Sequence, residues 1–265
     1  MYEFAYHKPG NLADATAALN SAADGKLMAG GQTLIPTLKQ RLAQPSDVID
    51  LGGIGELSGI SVSGDAVKIG ATTRHAAVAA SGEVASAIPA LAKLAGGIGD
   101  PQVRNMGTIG GSIANNDPAA DYPSAVLGLG ATVTTNKREI AADDFFTGMF
   151  ETTLAEDEII TSVLFPVPQK AGYVKFPNPA SRYAMVGVFV SQGSGGVRVA
   201  VTGAGPCVYR HADMEAALSS NFSSDALANV ATPADGLNAD IHASAEYRAH
   251  LVGVMARRAV DQANG

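Results

Sequence analysis

Residues 100–123 read DPQVRNMGTIGGSIANNDPAADYP. Glycine, proline, asparagine and aspartate dominate this stretch, and these residues bend the backbone or hydrogen-bond it locally. The stretch nevertheless lies between two apolar segments and carries Ile109 and Ile113 within it. A surface linker does not need buried apolar residues, whereas a loop that binds a polar ligand through its backbone needs both tight turns and apolar residues that anchor it in the core. We therefore expect the chain to be organised around a ligand site here.

The composition limits the classes of function. The chain has 265 residues, a formal net charge of −7 and no long basic run, so nucleic acid and an anionic membrane surface are not expected partners. One cysteine, Cys207, excludes an internal disulfide and a four-cysteine iron–sulfur or zinc site, and the histidines lack close metal-ligand spacing. With no apolar run of ~18 residues and no signal-peptide pattern, we expect no transmembrane segment and a cytoplasmic location.

A first glycine pair follows an early strand. The predicted strand Lys26 to Ala29 runs into Gly30-Gly31-Gln32-Thr33, and Thr33 is placed to cap a helix from Leu34 to Leu42. A strand, a glycine pair and a helix N-terminus together are typical of anion binding, because free N–H groups and the positive end of the helix dipole converge. A simple tight turn explains the same residues. The motif is neither a Walker loop nor GxGxxG.

A second glycine pair lies inside the opening stretch, in Thr108-Ile109-Gly110-Gly111-Ser112. Two glycines let backbone N–H groups approach a phosphate without a Cβ in the way. The preceding residues, Ile98 to Met106, are predicted to be extended or irregular. Asp121 comes just before an apolar helix, Tyr122 to Leu129, where it either caps that helix or accepts a hydrogen bond from a ligand hydroxyl.

The order of elements predicts an α+β fold. Strands and helices alternate as β-α-β-α-β at the start, a hairpin, helices and strands follow, and Pro166 and Pro168 end this part. Beyond them we predict a smaller α+β domain with a three-stranded antiparallel sheet and helices near 211–219, 222–231 and 243–262. The predicted domains are 1–171, with subdomains of about 1–55 and 56–171, and 172–265.

The two glycine loops resemble the pyrophosphate loops of the FAD-binding medium subunit of molybdenum hydroxylases, most closely the aerobic carbon monoxide dehydrogenase type. Nearly the whole chain takes part in the resemblance. The supporting strings are AGGQT (29–33), GDPQVRNMGTIGGSIANNDPAADYPSAVLGLGATV (99–133), DDFFTGMF (143–150), EDEII (156–160) and VRVAVTGAG (197–205). The resemblance implies a two-subdomain α/β FAD-binding module, like that of the PCMH and vanillyl-alcohol oxidase proteins, followed by the smaller domain.

The resemblance also implies which residues hold a non-covalent FAD. The implied cofactor-binding residues are Ala29, Gly30, Gly31, Gln32, Thr33, Leu34, Ile98, Thr108, Ile109, Gly110, Gly111, Ser112, Asp121, Ile160, Lys175 and Tyr183. The two loops would bind the pyrophosphate and ribityl chain through backbone N–H groups. No side chain need act as a catalytic acid or base, because the redox chemistry belongs to the flavin.

Five of these residues have an ordinary structural alternative. Ile98 would pack on the flavin or adenine, or be a core isoleucine, and Asp121 would accept from a ribityl hydroxyl. Ile160 would touch the adenosine, or be a buried strand residue. Lys175 would lie by the flavin ring, where a cation steadies reduced flavin, or be a solvated strand lysine. Tyr183 would lie beside the isoalloxazine, or pack between domains.

The sequence departs from the family pattern near the flavin edge. Ser181-Arg182 stands where many members carry Gly-Asp, and Pro177-Asn178-Pro179 replaces a basic pair. These departures bear on the electron acceptor and the potential.

The implied function is that of an electron-transfer subunit. A large partner would hold molybdopterin and a small partner two [2Fe-2S] clusters, in a dimer of heterotrimers, with a quinone, NAD or O2 as acceptor. The alternatives are a stand-alone FAD-dependent oxidase of the same fold and a scaffold subunit without cofactor.

Overall fold

The computed structural model describes every residue from 1 to 265. None of its helices combines the length and the apolar character that a membrane span requires. The first unit is a small parallel sheet with strand order β1-β3-β2. Its elements are β1 (Ala5–His7), α1 (Leu12–Ser21), β2 (Gly25–Met28), α2 (Leu34–Lys39) and β3 (Asp47–Asp50). The predicted β-α-β-α-β order is confirmed. Asn11 caps α1, since its side-chain oxygen accepts from the Asp14 N–H at 2.8 Å.

A five-stranded antiparallel sheet forms the centre of the molecule, with strand order β4-β5-β10-β6-β7. Its strands are β4 (Ile60–Ser63), β5 (Ala66–Gly70), β6 (Thr132–Thr135), β7 (Glu139–Ala141) and β10 (Ile160–Pro166). Between β7 and β10 the chain forms a short hairpin of β8 (Phe146–Gly148) and β9 (Glu151–Thr152).

Six helices connect β5 to β6, and a seventh follows β7. They are α3 (His75–Ala80), α4 (Gly82–Ala87), α5 (Pro89–Gly96), α6 (Pro101–Met106), α7 (Ile109–Asn115), α8 (Tyr122–Gly128) and α9 (Ala142–Phe145). Their apolar faces and the sheet form the largest core, which contains Leu91, Ile113 and Phe165.

The prediction of an irregular segment from Ile98 to Met106 is wrong from Pro101 onward, where the chain forms α6. Asp100 caps this helix by accepting from the Val103 N–H at 2.8 Å, and Pro101 occupies the first helical position. The second glycine pair likewise lies inside a helix, α7, rather than in a loop. Helix α7 ends at Asn116 in the left-handed conformation (φ 42°).

The C-terminal sheet has four antiparallel strands, not the three predicted. They are β11 (Lys170–Pro177), β12 (Ala184–Gly193), β13 (Gly196–Thr202) and β14 (Tyr209–Arg210). Strand β14 is a two-residue edge strand that pairs with β13.

Two helices cover this sheet, α10 (Ala212–Ser220) and α11 (Ala245–Asn264). The helix predicted over 222–231 is only a 3-10 turn, Ser224–Leu227, because serine and aspartate compete with helical hydrogen bonds. A second core fills the space between the sheet and α11. The division of the chain at residue 171 stays a prediction, since Tyr173 and Phe189 also join the largest core.

Candidate functional site

A cavity of about 620 Å³ opens between the first unit and the central sheet. Its walls come from the segment after β2, from the ends of α6 and α7, from the chain before β10 and from the loop between β11 and β12. This volume lies in the ordinary range for a cofactor or small-molecule site. Segments far apart in sequence therefore converge on one concave surface.

The first glycine loop presents an unbroken row of unpaired amides to this cavity. None of the backbone N–H groups from Ala29 to Leu34 donates to a protein acceptor, although all of these residues line the cavity. Gly31 has a φ of 69°, the left-handed conformation that glycine adopts at no cost. Because folded proteins pair the great majority of their backbone N–H groups, such a run facing a cavity is typical of an anion cradle.

The second glycine segment does not offer its amides in the expected way. The N–H of Ile109 donates to the Thr73 carbonyl at 3.1 Å, and that of Gly110 donates to the Ala71 carbonyl at 2.8 Å. Thr108 caps α7, since its Oγ1 accepts from the Gly111 N–H at 3.2 Å. The N–H of the next residue closes the first helical turn onto the Thr108 carbonyl at 3.0 Å. The expectation of free N–H groups over 109–112 is therefore corrected.

This second segment instead contributes hydroxyl groups and glycine backbone to the cavity wall. Thr108 and Ser112 line the cavity, and so does Gly111. A Cβ on Gly111 would come within 4.0 Å of the Ala29 Cβ in the first loop. The two segments therefore face each other, and a side chain at 111 would project toward the unpaired amides.

The two segments also share a wall through close backbone contact. A Cβ on Gly30 would lie 2.1 Å from the Met106 carbonyl oxygen and 2.8 Å from the Gly107 Cα. A Cβ on Gly107 would in turn lie 2.6 Å from Nε2 of His75. Only glycine fits at Gly30 without moving backbone, so this residue type is required for the loops to meet.

The structure brings most of the predicted site residues to the cavity. Those that line it are Ala29, Gly30, Gly31, Gln32, Thr33, Leu34, Ile98, Thr108, Gly110, Gly111, Ser112, Asp121, Ile160 and Tyr183. Ile109 does not line it, because its side chain is fully buried in the core. Lys175 does not line it either, because its ammonium lies behind the wall.

Asp121 and Lys175 form a buried ion pair with an Nζ–Oδ1 distance of 2.9 Å. The Tyr173 hydroxyl donates to the same carboxylate oxygen at 2.5 Å. Asp121 makes no capping hydrogen bond, so the capping alternative is wrong. Burial raises the pKa of Asp121, and the Lys175 charge and the hydrogen bonds oppose that rise.

The mouth of the cavity is formed by Ser181, Arg182 and Tyr183. Arg182 has a φ of 62°, and the loop is closed by a bond from the Asn178 N–H to the Tyr183 carbonyl at 2.8 Å. The Tyr183 side chain is about half exposed (48%). An exposed aromatic ring at a cavity mouth is suited to stacking on a flat ligand.

Sequence reasoning missed several polar residues of the wall, and two of them, His75 and Glu158, are buried. Glu158 lies within the EDEII string that carried the resemblance, so its position was a usable signal. His75 opens α3 within an ordinary-looking Arg-His pair, and nothing in the local pattern marks it.

A cavity lined by a row of free amides, several hydroxyls and an exposed aromatic ring has the features of a nucleotide-cofactor site, and comparisons with known proteins agree. Residues 2–168 match the family model described as the FAD binding domain in molybdopterin dehydrogenase. The chain is 38% identical to the nicotine 6-hydroxylase medium subunit of Paenarthrobacter nicotinovorans, covering 97% of this chain and 96% of that one. It is 34% identical to the carbon monoxide dehydrogenase medium chain of Hydrogenophaga pseudoflava, covering 98% and 96%.

A solved structure agrees with the sequence comparisons. Reconstituted CO dehydrogenase from Oligotropha carboxidovorans contains a chain that superposes with a TM-score of 0.88 at 33% identity, covering 98% of this chain and 97% of that chain. The chain thus belongs to the FAD-binding medium subunits of molybdenum hydroxylases, a family of flavoprotein subunits of multi-subunit oxidoreductases. The relatives that cover nearly the whole chain carry different names, nicotine 6-hydroxylase and carbon monoxide dehydrogenase among them, so the comparisons show the family and not a substrate.

Proposed function

We propose that this chain binds FAD without a covalent link and passes electrons from the [2Fe-2S] clusters of a partner subunit to an external acceptor. The observation that carries the proposal is the row of unpaired N–H groups from Ala29 to Leu34, facing Gly111 across the cavity. A pyrophosphate needs several converging donors and no crowding Cβ, and this cradle supplies both. The bound flavin supplies the redox chemistry by accepting and releasing electrons.

The remaining wall residues complete the cofactor site. Thr108 and Ser112 offer hydroxyls to the phosphates or the ribityl chain, and Asp121 accepts from a ribityl hydroxyl with a lone pair not used by Lys175. Ile98 and Ile160 are the apolar surfaces for the ring systems. Tyr183, at the mouth, would lie beside the isoalloxazine. The chain itself therefore binds, orients and shields the flavin.

Lys175 supports this site from behind. Its ammonium donates hydrogen bonds to the Arg182 carbonyl at 2.8 Å and to the Gly97 carbonyl at 3.0 Å, and it forms an ion pair with Asp121. Gly97 precedes the cavity residue Ile98, and Arg182 precedes Tyr183. Lys175 therefore positions both walls against each other rather than touching the flavin.

The partners follow from the kind of relatives the chain has. Medium subunits are named as parts of larger enzymes, so we propose a large molybdopterin subunit, a small [2Fe-2S] subunit and a dimer of heterotrimers, as in a carbon monoxide dehydrogenase-like enzyme. The large subunit selects the substrate. A quinone, NAD or O2 takes the electrons, and the Ser181-Arg182 sequence at the mouth bears on that choice.

The first experiment is acid precipitation of the purified chain, with chromatographic identification of any released chromophore. Free FAD in the supernatant is the expected result. FMN would contradict the pyrophosphate site, and colour kept in the pellet would favour a covalent stand-alone oxidase. Failure to bind added FAD, even after co-expression with the large and small subunits, would favour a scaffold subunit.

Gly111→Asp tests the cradle directly. It places a negative charge opposite the unpaired amides, so FAD content should fall at least roughly ten-fold, because a like charge facing the pyrophosphate costs several kcal/mol. Gly111→Asn is the matched control, since it adds nearly the same bulk without the charge and should keep more FAD. Equal FAD content in wild type and Gly111→Asp would contradict the site.

A further inference from the structure

His75 is a buried polar residue on the cavity wall that the expected set of FAD ligands does not include. His75 is only 5% exposed, and its ring packs on the Tyr122 ring with the two centroids 5.3 Å apart. Its backbone N–H donates to the Gly107 carbonyl at 2.9 Å, which fixes it beside the second glycine segment. Neither ring nitrogen has a hydrogen-bond partner in the protein, and only Nδ1 is sealed from the surroundings.

The protonation state of this ring follows from its surroundings. Burial and the nearby Arg104 charge lower the pKa of His75 to about 4, so the imidazole is neutral at pH 7. A neutral imidazole has one donor and one acceptor nitrogen. We assign the proton to Nε2, because a sealed N–H without an acceptor at Nδ1 is costlier than a sealed lone pair.

The surroundings of Nε2 indicate which part of the cavity this nitrogen faces. A Cβ on Gly107 would lie 2.6 Å from Nε2, and the Cα of the same glycine is the surface on which Gly30 packs. Nε2 therefore lies against Gly107, at the junction of the two glycine segments, and His75 lines the same cavity as the unpaired amides. The ligand atoms expected at that junction are phosphate oxygens, which accept hydrogen bonds strongly.

We propose that His75 is a further FAD-binding residue, whose Nε2–H donates a hydrogen bond to a pyrophosphate oxygen of the dinucleotide. The proposal rests on the proposed FAD function and adds a side-chain donor to a cradle otherwise made of backbone. It explains why a polar ring is kept where the protein itself offers it no partner.

Two substitutions separate hydrogen bonding from packing. His75→Gln keeps an N–H donor near the Nε2 position, whereas His75→Phe keeps a flat ring against Tyr122 and removes the donor. With the apoprotein, we expect the FAD dissociation constant from flavin fluorescence titration to rise at least about ten-fold in His75→Phe. In His75→Gln it should stay within about three-fold of wild type. The thermal midpoint of apo His75→Phe should equal or exceed that of wild type, since an unpaired polar ring becomes apolar.

ADP is the probe that locates the contact, because it carries the phosphates without the flavin. His75→Phe should weaken ADP binding by a similar factor, measured by calorimetry. Unchanged FAD affinity in His75→Phe, or an equal loss in both variants, would overturn the role of His75 while wild-type FAD binding still supports the proposed function. Weaker FAD binding with unchanged ADP binding would overturn the pyrophosphate contact. If wild type binds no FAD, both proposals fail.

Discussion

At the scale of single residues, Lys175 shows how burial changes what a charged side chain does. An ammonium has three N–H donors, and the contacts with Gly97, Arg182 and Asp121 use all of them. The side chain is only 11% exposed. The sequence suggested either a cation beside the flavin or a solvated lysine, and the structure contradicts the solvated alternative, since the Lys175 ammonium is buried and links three segments of the chain.

Replacing Lys175 tests this tether. Lys175→Met should lower the free energy of unfolding by about 3–5 kcal/mol, because it leaves the Asp121 carboxylate buried without its cation. Urea denaturation monitored by circular dichroism measures the change. The double variant Lys175→Met with Asp121→Asn should recover part of the loss, since no buried charge remains. A loss below about 1 kcal/mol in the single variant would show that the pair is dispensable.

At the scale of elements, Glu158 joins the chain before β10 to the turn between β6 and β7. Its carboxylate accepts from Arg138 Nε at 2.9 Å, from Thr135 Oγ1 at 2.8 Å and from the Ala155 N–H at 3.0 Å. The Glu158 side chain is buried (1% exposed), whereas Arg138 is half exposed. Because Ala155 and residues 158–160 line the cavity, this cluster also sets the shape of one wall.

The pH dependence of stability should report this cluster. Arg138, followed by the Ala155 and Thr135 hydrogen bonds, lowers the pKa of Glu158 from 4.5 to about 2. A carboxylate with a lowered folded-state pKa stabilises the protein above pH 4.5, and that contribution is lost as the pH falls toward 2. We expect about 2 kcal/mol, less than the shift alone implies, because Arg138 is partly screened by solvent.

The control for this prediction is Glu158→Gln. The difference in unfolding free energy between wild type and Glu158→Gln should be largest near pH 6 and shrink between pH 4.5 and 2, measured by urea titrations at each pH. Taking the difference removes the contribution of the other carboxylates. A difference that is constant with pH would rule out the linkage.

At the scale of the whole molecule, the cavity exists only when separate parts of the chain are folded together. Its lining comes from the first unit, from the central sheet with its helices, and from the loop at 181–183 of the C-terminal sheet. The unfolded chain has no such surface, so a ligand that fills the cavity stabilises the folded state by mass action.

Thermal unfolding should therefore depend on FAD. At 100 times its dissociation constant, FAD adds about 2.7 kcal/mol, which corresponds to a rise in Tm of about 5–10 °C for a chain of this size. FMN at the same concentration should raise Tm less, because it lacks the second phosphate and the adenosine. Gly111→Asp should show almost no rise. An equal rise with FMN, or none with FAD, would contradict a dinucleotide site that spans the cavity.

The sequence by itself determined the family, the β-α-β-α-β start, the positions of both glycine pairs and 14 of the residues that line the cavity. These features depend on residue types and on short spacings along the chain, and such local patterns are visible in the sequence itself. Only the tertiary structure decided which amides are free, since those of Ile109 and Gly110 are taken by carbonyls near residue 72. It also turned Lys175 inward and brought His75 to the cavity. Whether a polar group is free depends on which distant part of the chain comes within about 3 Å, and that distance is a property of the folded whole.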